Sequence, residues 1–147
     1  MSARLTLLLA LTALLAVPTV AFGATKHGIT PKSPKAGSTV PVGSTPTYKG
    51  KFKGKGPIYV LICASKKKNK DGVICHNSDG TLRSEADIGK AKKKGKRFSY
   101  KPKFFDFPAF YLNTPGTYYW QAYRISCERG NIKDCLQEGP IVKFKVG

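Results

Sequence analysis

In the last third of the chain, apolar positions recur at every second residue. Pro115-Gly116 gives a turn signal, and Thr117-Tyr118-Tyr119-Trp120-Gln121-Ala122-Tyr123-Arg124-Ile125 follows it. β-Branched and aromatic residues of this kind favour a pleated, half-buried surface. Alternation sets Tyr118, Trp120 and Ala122 on one face and Tyr119, Gln121 and Tyr123 on the other. The first face carries the single tryptophan of the chain and is assigned to the core. In residues 141–146, Val142, Phe144 and Val146 alternate with Lys143 and Lys145. The two runs predict a terminal antiparallel hairpin.

Residues 58–64, Ile-Tyr-Val-Leu-Ile-Cys-Ala, are apolar on both faces, as in a central strand covered on both sides. Before them Lys49, Lys51, Lys53 and Lys55 recur at every second position, opposite Tyr48 and Phe52. On a strand these lysines form a one-sided ladder. Such a ladder guards a sheet edge against aggregation, and it is also a candidate surface for anions. Gly50, Gly54 and Gly56 imply bulges or twist. Residues 24–46, rich in Pro, Gly, Ser and Thr, read as a partly mobile leader with a possible broken edge strand over residues 29–42. Residues 65–97 read as a lysine-rich insert with Asp71-Gly72 and Asp79-Gly80 turns and one helical turn over residues 84–91. Phe98, Tyr100, Phe104, Phe105 and Phe107 return the chain to the core.

The N-terminus sets the compartment. Arg4 precedes an apolar run over residues 5–17, Pro18 breaks it, and Ala21 and Gly23 supply small residues for a cleavage site. This predicts a signal-peptide helix over residues 1–23, cut near Gly23, and a secreted, extracellular product. Cleavage would leave 124 of the 147 residues, enough for one domain, and loss of Arg4 would lower the formal charge from +18 to +17. The excess is mostly lysine, a flexible point charge, which suits diffuse attraction to anions more than bidentate recognition. Cys63, Cys75, Cys127 and Cys135 are an even set in a short exported chain, which predicts two disulfides. Their spacing is not that of a zinc site, and no metal or cofactor is expected.

The order of these features resembles the fibronectin type III and related immunoglobulin-like β-sandwiches of exported bacterial proteins. The likeness rests on Tyr59-Val60-Leu61-Ile62 as a central strand, Gly116-Thr117-Tyr118-Tyr119-Trp120 opening the sixth strand, and Phe144-Lys145-Val146 ending the seventh. It implies an all-β, two-sheet antiparallel sandwich over residues 47–147. In that arrangement the strands ending near Cys63 and Cys127 are antiparallel neighbours, so the two cysteines lie at opposite poles. The implied pairs are Cys63–Cys75 and Cys127–Cys135.

No catalytic constellation stands out. His27 and His76 are the only histidines, and Ser78 and Asp79 are too near His76 in sequence to complete a triad. Neither Gly-x-Ser-x-Gly nor His-Glu-x-x-His occurs. Asn69-Lys70-Asp71-Gly72 and Asn77-Ser78-Asp79-Gly80 echo half a calcium loop but lack its closing acidic residue, and read as turns. Lys66, Lys67, Lys68, Lys92, Lys93, Lys94, Lys96 and Arg97 join the ladder lysines as candidate anion-binding residues. Phe98 and Tyr100 follow this patch and are either base-stacking platforms or core residues. The expected function is a non-catalytic module adhering to anionic extracellular polymers or surfaces, non-specific nucleic acid included. The alternative is a secreted cationic antimicrobial or toxin-like effector.

Overall fold

The computed structural model describes residues 24–83, 86–103, 112–127 and 135–147. Residues 1–23, expected to be a signal peptide, residues 84–85 of the expected helical turn, and Phe104, Phe105 and Phe107 lie outside the described residues. Nine strands and no helix make up the described chain: β1 (Ile29–Ser33), β2 (Thr39–Val40), β3 (Tyr48–Phe52), β4 (Ile58–Cys63), β5 (Asp87–Lys90), β6 (Lys92–Lys94), β7 (Arg97–Tyr100), β8 (Gly116–Ile125) and β9 (Leu136–Val146). One sheet has the order β1-β3-β7-β6, and the other β2-β9-β8-β4-β5. Every pairing is antiparallel except β2 with β9.

The sheets face each other across one apolar layer. Tyr48, Phe52, Phe98 and Tyr100 come from the first sheet, and Val60, Ile62, Trp120, Ala122, Val142 and Phe144 from the second. Trp120, fully buried, packs edge-on against Tyr48 with ring centroids 5.5 Å apart, and its Nε1 donates to the Pro34 carbonyl at 3.1 Å. Tyr100 donates to Asp87 across the layer at 2.8 Å. Gly89 makes room for that bond, since a Cβ there would stand 2.0 Å from the Tyr100 ring. Burial first, then the nearby Asp87, pushes the Tyr48 phenol far above its ordinary pKa.

The outer face of the five-stranded sheet has its own cover. Val73, Ile74, Cys75 and Ala86 of the segment between β4 and β5 pack on Leu61, Cys63 and Tyr123. This explains why β4 is apolar on both faces. Gln121, 1% exposed, is the polar anchor: Oε1 accepts from the Ile74 amide at 3.0 Å, and Nε2 donates to the carbonyls of Gly139 at 2.9 Å and Gly72 at 3.3 Å. Cys63–Cys75 ties the segment to the end of β4, with Cα atoms 5.8 Å apart, and Cys127–Cys135 closes the β8–β9 connection, with Cα atoms 4.1 Å apart. Cys63 sits opposite Tyr119 while Cys127 lies beyond Ile125, at the other end of the same strand pair.

Three expectations change. The sandwich begins before residue 47: the broken edge strand expected over residues 29–42 is present, with β1 at the edge of one sheet and β2 at the edge of the other. The lysine ladder stops at Phe52, because Gly54 and Gly56 adopt φ of +99° and +101° and turn the chain against Arg124 and Ile125. Residues 87–97 are not insert or helix. Asp87–Lys90 is a strand on β4, and Lys92–Lys94 with Arg97–Tyr100 forms a hairpin, since pairing partners in each sheet outweigh the weak strand preference of glycine and lysine.

Candidate anion-binding face

β3 and β7 alternate cleanly, so what is not core stands on the outer face of the four-stranded sheet. Lys51 is paired with Arg97, and Arg97 with Lys94; Lys49 is paired with Ser99, and Ser99 with Lys92. Two transverse rows result, and neighbouring strands lie about 4.8 Å apart. Lys32 of β1 joins them beside a bulge. All six cations are exposed. They line, with Gly50, Lys93, Phe98 and Ser99, a groove of about 710 Å³ with no carboxylate among its described residues.

The other candidates fall elsewhere. Lys53, Lys55 and Lys96 line a second hollow of about 740 Å³ at the ends of β3 and β6, with Phe52, Lys93 and three glycines. Lys93 lies 5.5 Å over the Phe52 ring and donates to the Gly56 carbonyl at 2.8 Å. Lys66, Lys67 and Lys68 sit in the segment covering the outer face of the other sheet. The structure thus separates lysines that the sequence pooled.

Phe98 and Tyr100 are 2% and 6% exposed and belong to the core, so neither offers a ring to a base. His76 Nδ1 donates to the Ile74 carbonyl at 2.8 Å, bracing the left-handed Cys75. His27 contacts the Glu138 carbonyl at 2.9 Å. Both Asx-Gly stretches close as turns, Asn69 O to Gly72 N and Asn77 O to Gly80 N, each 3.1 Å. In the second, hydrogen bonds from the Thr81 hydroxyl and amide hold the Asp79 carboxyl below its usual range. Among the described residues, no three His, Cys, Asp or Glu side chains gather as a metal site.

Sequence reasoning missed Lys32 and Gln121. Thr30 and Lys32 alternating with Ile29 and Pro31 carried the signal for the first. A glutamine centred in an aromatic strand beside a doubly apolar one carried it for the second.

No family model matches the chain, and no curated protein or solved structure shows significant similarity to it.

Proposed function

We propose that the chain is a secreted, non-catalytic immunoglobulin-like sandwich of the fibronectin type III kind that binds anionic polymers through the outer face of its four-stranded sheet. Immunoglobulin-like sandwiches place strands A, B, E and D in one sheet and C, F and G in the other. β1, β3, β7 and β6 stand in the first order, and β4, β8 and β9 in the second, which supports the likeness. The observation that carries the binding role is the face itself: seven exposed cations, Lys93 among them, line one groove with no carboxylate among its described residues. With Phe98 and Tyr100 turned inward, attraction on this face rests on charge and is indifferent to base sequence. Among the described residues, the exposed large hydrophobics Val42 and Leu82 lie outside the groove.

The test is titration of the secreted protein with long-chain polyphosphate at several salt concentrations. Binding should weaken steeply with salt and fall sharply in Lys49→Gln/Lys51→Gln/Arg97→Gln. Affinity unchanged by salt or by that triple variant would defeat the reading. Leakage of anionic vesicles at the concentrations that saturate the polymer would favour the membrane-damaging effector.

A further inference from the structure

Edge strand β6 has basic hollows on both sides. Lys92 and Lys94 stand on the outer groove, while Lys93 turns the other way, over Phe52 and against the Gly56 carbonyl. Beyond the β6–β7 turn lies the second hollow, lined by Lys53, Lys55, Lys93 and Lys96, again with no carboxylate among its described residues. Lys93 belongs to both linings, so the basic surface continues around the edge of the sheet. Its ammonium has three protons; the bond to Gly56 uses one and leaves two. Beneath the loop, Arg124 donates to the Lys53 carbonyl at 2.7 Å and fixes one more positive charge under Gly54.

We propose that a single flexible polyanion of the polyphosphate type occupies both hollows by bending over β6, and that the site therefore favours long flexible chains over short or stiff ones. The proposal rests on the outer face being the primary polyanion site. Once a chain is held there, contact with the second hollow becomes intramolecular and adds avidity without a second encounter. A duplex, with a persistence length of about 50 nm, cannot fold around one strand edge. A chain too short to pass the edge gains nothing from the second hollow.

The experiment compares inorganic tripolyphosphate with long-chain polyphosphate on the wild type and on Lys53→Gln/Lys55→Gln/Lys96→Gln. All three lysines are exposed and leave the core untouched, and circular dichroism verifies the fold. The long chain should lose about tenfold in affinity, with a salt slope lower by roughly 2, at about 0.7 per lost contact. Tripolyphosphate binding should change by less than about twofold on the same counterion argument. A short probe too weak to register, beside that loss for the long chain, also supports the proposal. Equal losses for both probes, or none for the long chain, would overturn it, as would an equal loss for a short DNA duplex. Failure of the wild type to bind any polyanion would instead defeat the outer-face reading.

Discussion

Trp120 shows how one side chain fixes both sheets. Its ring fills the layer between them, and its Nε1 holds the Pro34 carbonyl of the chain that leaves β1. Trp120→Ala is expected to cost about 3–5 kcal/mol by urea denaturation, from the lost burial and the cavity left behind. The wild-type emission should be that of a buried indole; a solvent-like spectrum would contradict the facing. Gly89 is as demanding for the opposite reason. In Gly89→Ala the new Cβ displaces the Tyr100 ring, and Asp87 loses the donor it has there at 2.8 Å. The expected loss is about 1–3 kcal/mol. Gly95→Ala, with nothing within 4 Å of the new atom, carries only the strain of its φ of +57° and should cost less. Equal midpoints for the two variants would show that the Tyr100–Asp87 bond contributes nothing. The facing of Trp120 was legible from alternation alone. The need for glycine at 89 was not, since Tyr100 comes from the facing sheet.

Among the elements, strands with strong alternation or a long apolar run were readable: β8, β9 and β4. β5 and β6 were not, because Gly89 and three consecutive lysines carry no strand preference and only their partners define them. The covering segment was read as an insert, but its function as a second core was hidden in two residues, Val73 and Ile74. That segment is held in two ways, by Cys63–Cys75 and by Gln121. Cys63→Ser/Cys75→Ser should lower stability by about 2–3 kcal/mol, from the entropy of opening the loop. The Ile74 amide should then exchange faster while the β8 amides stay protected. Unchanged exchange at Ile74 would assign the holding role to Gln121 alone. The N-terminal end is held by Glu138 of β9, which contacts Lys26 and His27. Burial raises the Glu138 pKa, but the Lys26 hydrogen bond, a backbone hydrogen bond and the charges of Lys26 and His27 outweigh it, so the net value is lowered. A lowered carboxyl pKa contributes stability at neutral pH that disappears as pH falls through the folded-state value. Glu138→Gln should therefore be less stable than wild type at neutral pH and converge with it in acid. A gap that persists in acid would mean that the carboxylate's charge is not what holds Lys26 and His27.

At the scale of the whole molecule, the sandwich and its charge excess were legible, but the distribution of that charge was not. The sequence presents lysine at residues 49–55, 66–68 and 92–97 as similar clusters. Folding brings Lys49 and Lys51 beside Lys92, Lys94 and Arg97 through β3–β7–β6 pairing, across more than 40 residues of chain. It sends Lys66, Lys67 and Lys68 to the far side, because the segment that bears them must cover Leu61 and Tyr123. Such a separation cannot be read from spacing, since it depends on which strands become neighbours. It does make a sharp test. Lys66→Gln/Lys67→Gln/Lys68→Gln and Lys49→Gln/Lys51→Gln/Arg97→Gln remove the same net charge. If net charge alone draws the polyanion, both triples weaken binding equally. Charges beyond a Debye length, about 8 Å at physiological ionic strength, are largely screened. The far-side triple should therefore leave the affinity for long-chain polyphosphate within about twofold at that salt, whereas the face triple should lower the salt slope by roughly 2. Equal losses would show that the lysines act as a diffuse cloud and that the groove has no part in binding.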